Sequence, residues 1–231
     1  MYFPLSIGVG GSKSGVGKTA FIEKLIQKIK KEFEDKVNII AVKYTKSSLY
    51  SSIISDPSII NRSGKDTERL KKAGADLVYW VKATEPDLSD VVAKLKEEIL
   101  RVLLSSVHIN TQKTILIIEG NSMVTVMQPD VIIFLKGCET EYIKSSGEAV
   151  LKLADIVIEG QYSMEEVMTE IEKTQQRKLI ERLLKERSNE GKITCAEARK
   201  IAEEIGVPYL EVGRVANELK IKIRKCELGC F

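Results

Sequence analysis

The sequence predicts an α/β fold: a mostly parallel β-sheet with helices on both faces, plus a small, mainly helical, helix-turn-helix-like domain at the C-terminus. Three observations predict it. Over roughly the first 160 residues, short apolar runs alternate with stretches of helical periodicity, the pattern of repeated strand–helix units. A glycine-rich segment, Gly10 to Thr19, lies between the first apolar run and the first helical stretch. From about Ser163 the pattern turns to helix without intervening strand.

Taken in order, the strands are expected at Leu5–Val9, Val37–Val42, Leu77–Val81, Thr114–Ile118, Val131–Leu135 and Ile156–Ile158. Ala20 to Phe33 is amphipathic, and so is Leu88 to Val107, where Val91, Val92, Leu95, Ile99, Val102 and Leu103 share one helical face. Between Tyr44 and Asp66 a serine-rich segment shows no clear period and is expected to be a loop, in the position where substrate-contacting loops occur in such folds. Gln175 to Arg187 reads as a charged helix with a Leu179, Ile180, Leu183, Leu184 stripe. Thr194-Cys195-Ala196-Glu197 has the form of a capping box, opening a helix that runs through Ile205. Gly206-Val207-Pro208 breaks it, Tyr209 to Leu219 forms another, and Ile221-Lys222-Ile223-Arg224 alternates like a wing strand. The expected division is residues 1–162 for a nucleotide-binding domain and 163–231 for a helical, winged-helix-like domain.

The segment at 12–19 has the chemistry of a phosphate-binding loop, which makes the sheet that of a P-loop NTPase. Gly15 and Gly17 let successive N–H groups turn inward around phosphate oxygens, and the following helix adds its positive N-terminal end. Lys18 is expected to reach the β- and γ-phosphates, with the Thr19 hydroxyl on Mg²⁺. The nucleotide-binding set is Ser12, Lys13, Ser14, Gly15, Val16, Gly17, Lys18, Thr19 and Ala20. Ser12 stands where the motif usually begins with glycine, and Gly10 and Gly11 are expected to keep that turn flexible. The run Thr114 to Ile118 ends in Glu119, a carboxylate placed to reach the metal from a neighbouring strand. The ligand is therefore GTP or ATP with Mg²⁺, and the metal residues are Thr19 and Glu119. No general base emerges. Lys13, Lys18 and Asp66 are the catalytic candidates, and Asp56 is a further acid in the same segment.

Bulk properties narrow the classes. With 43% hydrophobic and 30% charged residues the chain has ample core, and no apolar run approaches the roughly 20 residues that span a bilayer. The start, Met1-Tyr2-Phe3-Pro4, lacks a basic leader, so a cytoplasmic protein without membrane partners is expected. From Gln175 onward 13 basic residues face 9 acidic ones, a net of +4; the remaining 23 against 24 give −1. That is a weak footprint for nucleic acid, and a helical unit of this size serves protein contacts at least as often. Cys226 and Cys230 form a C-x₃-C pair, readable as half of a metal or iron–sulfur site with Cys195 or Cys138, as a redox pair, or as inert small residues. His108, the single histidine, is given no role.

Two resemblances follow from these residues. Lys13-Ser14-Gly15-Val16-Gly17-Lys18-Thr19 resembles the deviant Walker A class, whose members commonly dimerise around nucleotide; the resemblance implies a homodimer in which Lys13 serves a phosphate of the partner subunit. The body, residues 5 to about 160, resembles the molybdopterin-guanine dinucleotide biosynthesis protein B family. The likeness rests on the P-loop, on Ala41-Val42-Lys43-Tyr44, on Gly64-Lys65-Asp66-Thr67 with Arg69 and Ala73-Gly74-Ala75-Asp76, and on Ile118-Glu119-Gly120. It implies a nucleotide-binding accessory protein of molybdenum cofactor maturation with low intrinsic hydrolysis, cofactor-maturation proteins as partners, and Lys43 and Asp66 near the nucleotide or a switch. Tyr44 stands where that family usually has His. The guanine-reading [NT]-K-x-D is absent, its nearest counterpart being Leu135-Lys136-Gly137-Cys138. A P-loop small-molecule kinase, and a nucleotide sensor whose C-terminal domain binds DNA or protein, are the alternatives.

Overall fold

A computed structural model describes residues 6–34, 36–105, 113–137 and 142–225 of the 231. The chain divides into two compact units, one within residues 4–168 and one within 169–231. In the first, β1 (Ser6–Gly11), β2 (Val37–Lys46), β3 (Ser52–Ile54), β4 (Leu77–Ala83), β5 (Lys113–Glu119), β6 (Val131–Lys136) and β7 (Ile156–Glu159) form one sheet in the order β3-β4-β2-β5-β1-β6-β7. Every pairing is parallel except that of β3 with β4.

Strands buried on both faces read as continuous apolar runs rather than alternating ones, and Ile39, Ile40, Ala41 and Val42 are all buried. The Ile40, Val42, Ile118 and Phe134 face packs against Val91, Val92 and Leu95 of α4 (Leu88–Ser105), Met123 and Val124 of α5 (Asn121–Met127) and Val150 of α6 (Ser145–Leu151). Ile39, Ala41 and Ile117 point the other way, toward the side covered by α1 (Lys18–Phe33), whose Phe21, Ile22, Leu25, Ile26 and Ile29 are buried. The α1 crossover from β1 to β2 and the α5 crossover from β5 to β6 run in opposite directions. Right-handed connections then place the two helices on opposite faces and open a crevice at the carboxyl ends of β1, β5 and β2.

The expected loop between Tyr44 and Asp66 is more ordered than its sequence suggests. β2 continues to Lys46, Ser52-Ile53-Ile54 adds the antiparallel edge strand β3, and α2 (Pro57–Ile60) is capped by Asp56, whose Oδ1 accepts from Ser58 N at 2.8 Å. Three residues of strand carry too little alternation to be recognised; partners on β4 supply what local pattern does not. α3 (Asp66–Lys72) then returns the chain to β4.

The second unit is a helical core with two very short strands. The C-terminal part of α7 (Met164–Arg187), α8 (Cys195–Ile205) and α9 (Tyr209–Glu218) bury Ile180, Leu184, Ile201, Ala202, Val212 and Val215 together. The capping box forms its forward half: Thr194 Oγ1 accepts from Glu197 N at 3.1 Å. Gly206 ends α8 at φ 77, a left-handed conformation that glycine adopts without strain. β9 (Lys222–Arg224) falls within the expected wing strand, and it pairs in parallel with β8 (Lys192–Thr194), which the sequence reading did not anticipate. β8 is again only three residues long, below what a periodicity can register.

Candidate functional site

β1 ends in Gly10 and Gly11, which are strand residues paired with Phe134 and Leu135 and not part of a flexible turn as expected. Their small size serves close packing. A Cβ on Gly10 would lie 2.7 Å from Val150, and one on Gly11 2.5 Å from Val16. Ser12 follows, buried, donating its N–H to Leu135 O at 2.9 Å and accepting from Lys144 N at 3.1 Å. It is absent from the residues of positive φ, so serine stands here without backbone strain. The conformations that need glycine fall at Gly15 (φ 78) and Gly17 (φ 101). Asn121 locks the loop's base from the end of β5: its Oδ1 accepts from Gly11 N and its Nδ2 donates to Gly11 O, both at 2.9 Å.

Beyond the loop, four side chains from four elements meet. Thr19, in the first turn of α1, donates toward Glu119 at 3.1 and 3.2 Å from its two carboxylate oxygens. Lys43 on β2 is ion-paired with the same carboxylate, and its Nζ lies 2.7 Å from Asp66 Oδ2 at the start of α3. Glu119 is buried, Lys43 is 15% exposed along its side chain, and Asp66 is half open to solvent. Burial alone would pull the Lys43 ammonium down, but attraction to Glu119 and hydrogen bonds to both carboxylates outweigh it, and its pKa rises. Lys18 lacks such a carboxylate partner. Its Nζ donates to Lys13 O at 3.0 Å, and burial, opposed by Glu119 and reinforced by Lys43 and Lys144, lowers its pKa. An ammonium held at a thermodynamic cost is one that an anion would relieve.

The cleft enclosing these groups has a volume of about 470 Å³. Lys13, Lys18, Lys43, Lys46, Arg69 and Lys144 line it against Asp66 and Glu119, six cations to two carboxylates among the described residues. Arg69 is held in place by Glu23, at 2.9 and 2.6 Å, and Lys46 by Glu85 at 2.6 Å. A net charge of this sign suits a polyanion. Thr19 and Glu119 are two hard oxygen donors within hydrogen-bond distance of each other, and a cation, the Lys43 ammonium, already rests on them. That donor set fits Mg²⁺, which prefers oxygen ligands and keeps several waters.

Of the residues expected from the sequence, Lys13, Ser14, Gly15, Gly17, Lys18, Thr19, Ala20, Lys43, Asp66 and Glu119 line this one cleft. Ser12 lies buried beneath it and Val16 covers the end of β1. Asp56 is elsewhere employed as a helix cap, the Ser58 hydrogen bonds holding its carboxyl below the usual range. Lys136, in the place of a guanine-reading motif, pairs with Glu159 at 2.7 Å. Lys46, Asn121 and Lys144 escaped the sequence reading. Asn121 alone carried a signal, following the acid–glycine strand end. Lys144 is brought in from more than a hundred residues away by the sheet order. Cys195 opens α8 as a half-buried free thiol; Cys138, Cys226, Cys230 and His108 lie outside the described residues. Among the described residues no cluster of three or more His, Cys, Asp or Glu forms a metal-binding group, and no helix is long and apolar enough to cross a membrane.

The family model of molybdopterin guanine dinucleotide synthesis protein B matches residues 7–157, which contain the whole sheet but Ser6 of β1 and the last two residues of β7, together with every cleft residue. No curated protein matches the chain significantly. The match spans well over half of the sequence and ends before α7. On that match, the chain belongs to the molybdopterin guanine dinucleotide synthesis protein B family.

Proposed function

We infer that the protein binds a nucleoside triphosphate, GTP or ATP, with Mg²⁺ in the 470 Å³ cleft and hydrolyses it slowly as an accessory factor in forming the molybdenum cofactor. The observation that carries this is the convergence of Lys13, Lys18, Lys43, Arg69 and Lys144 on the same crevice as Thr19 and Glu119. Family membership supports the role in molybdenum cofactor biosynthesis and the binding of nucleotide. The loop amides around Gly15 to Thr19 hold the phosphates, Lys18 bridges the β and γ groups, and Thr19 with Glu119 holds the metal, whose charge offsets that of the phosphates. Were Glu119 to hold Mg²⁺, the Lys43 ammonium would meet a second cation on that carboxylate, and Asp66, at 2.7 Å, is its other partner.

Calorimetry with GTP and with ATP, each with and without Mg²⁺, tests the reading directly; absence of binding by either overturns it. Thr19→Ala is expected to retain a weakened affinity that no longer rises with added Mg²⁺. Lys13 is expected to act across a subunit interface, as the resemblance to the deviant Walker A class implies; in the structure its carbonyl accepts from Lys18 and the residue lines the cleft. Light scattering should then show a dimer favoured by triphosphate with Mg²⁺ over diphosphate, and Lys13→Ala should lower turnover about 10-fold or more with little change in affinity. Identical masses and turnover in both proteins would leave Lys13 an ordinary surface charge.

A second reading, phosphoryl transfer to a small molecule, is favoured by one feature. A second cleft of about 360 Å³ adjoins the first through Tyr44, Lys46, Ser122 and Ser146 and carries further hydroxyls, Ser89 and Thr125. Nucleoside diphosphate release that accelerates with added metabolites would favour it over slow hydrolysis.

A further inference from the structure

The family match stops at residue 157, and the unit within residues 169–231 is left without an assigned role. Its architecture is that of two helices around a tight turn. α8 and α9 are joined by Gly206-Val207-Pro208, with Gly206 left-handed, and Ala202 fully buried at the place where a larger side chain would hold the helices apart. α9 buries Val212, Val215 and Ala216 on one side. On the other, Leu210, Gly213, Arg214 and Asn217 recur at i, i+3, i+4 and i+7, a stripe left largely open among the described residues: Leu210 is 72% exposed, and a Cβ on Gly213 would meet no atom within 4 Å.

Charge is distributed unevenly over this unit. Its acids are largely engaged by the cations of α7, α8 and α9: Glu218 by Arg177 at 2.8 Å, Glu204 by Arg187 at 2.6 Å, Glu211 by Arg214 at 3.1 Å. The basic residues on and around β9 are different. Lys220, Lys222, Arg224 and Lys225 are all exposed and form no ion pair among the described residues. The total of +4 from Gln175 onward therefore understates the local field around β9, where four exposed cations lie within six residues of one another.

We propose that the C-terminal unit binds duplex DNA, with α9 presenting Leu210, Gly213, Arg214 and Asn217 to the major groove and the β9 cations neutralising backbone phosphates. An exposed helix of 10 residues fits a major groove. Asn and Arg side chains match the donor and acceptor edges of adenine and guanine, and an exposed leucine suits a thymine methyl. Gly213 removes side-chain bulk where the helix would approach most closely. Four exposed cations along one strand and its flanks, with no ion pair among the described residues, are complementary to a phosphate backbone.

The test is fluorescence anisotropy of the full chain with a labelled DNA duplex of about 24 base pairs, and in parallel with single-stranded DNA, duplex RNA and anionic lipid vesicles, across a salt series. The expected result is preference for duplex DNA, with log K falling against log salt at a slope of about −3 to −4, since each phosphate contact contributes about −0.9. Lys222→Glu/Arg224→Glu should weaken binding at least about 10-fold and flatten the slope by about 2, with unchanged thermal melting and unchanged nucleotide affinity; both side chains are solvent-exposed. Lys18→Met should bind DNA as the wild type does, which separates this proposal from the nucleotide reading. Equal binding by the double variant, a flat salt slope, or preference for RNA, single strands or vesicles would each overturn it.

Discussion

Lys18→Met is expected to abolish measurable nucleotide binding while leaving the free protein at least as stable as the wild type. Both effects have one cause. The Lys18 ammonium sits partly buried at the mouth of the loop, where desolvation lowers its pKa and its donor reaches a backbone carbonyl, Lys13 O, at 3.0 Å. Charge-assisted hydrogen bonds are worth roughly 1.5–3 kcal/mol each, and two phosphate groups claim this lysine. Losing them reduces affinity by roughly 10²- to 10⁴-fold at about 1.4 kcal/mol per decade. Methionine keeps the apolar stem and removes the charge, so the desolvation penalty disappears from the free protein. Calorimetry and thermal denaturation on the same preparation decide the matter. Undiminished affinity would refute the phosphate role, and a large fall in melting temperature would show that Lys18 supports the fold instead.

How much of this was legible in the sequence depends on how far apart the cooperating residues lie. Gly15 to Thr19 could be read because the chemistry of phosphate binding is compressed into one turn, and the six longer strands because burial on both faces writes itself as apolar runs. The edge strand β3 and the short β8 were missed since each has three residues. Their existence is decided by a partner strand. The site repeats the lesson. Glu119 and Thr19 are a hundred residues apart, and the expectation that they meet came from the P-loop context, whereas Lys144 and Lys46 carried no local mark and were brought to the cleft by the strand order. Gly10 and Gly11 were misread for the converse reason. Glycine signals either flexibility or close approach, and only the neighbouring Val16 and Val150 show which.

Glu119→Gln is expected to remove the Mg²⁺ dependence of nucleotide binding and to lower stability by roughly 2–3 kcal/mol. Glutamine preserves shape, so what is lost is the charge that Lys43 answers. Breaking a buried ion pair by removing one partner costs roughly 3–5 kcal/mol, and the surviving contact of Lys43 with the half-exposed Asp66 at 2.7 Å reduces that figure. For a chain of this length the loss corresponds to a fall in melting temperature of roughly 4–12 °C. The carboxylates raise the Lys43 pKa above its ordinary 10.5, so their stabilisation is present in full at neutral pH and is lost only as pH rises through the raised value. Melting curves at pH 7 therefore report the whole effect. The double variant Glu119→Gln/Lys43→Met separates structure from metal binding: with both buried charges gone, most of the stability should return. Mg²⁺-dependent affinity should not, because the oxygen donor opposite Thr19 no longer carries charge. If the double variant regained both, Glu119 would serve only to neutralise Lys43; if it regained neither, the cost would lie in packing rather than in the uncompensated ammonium.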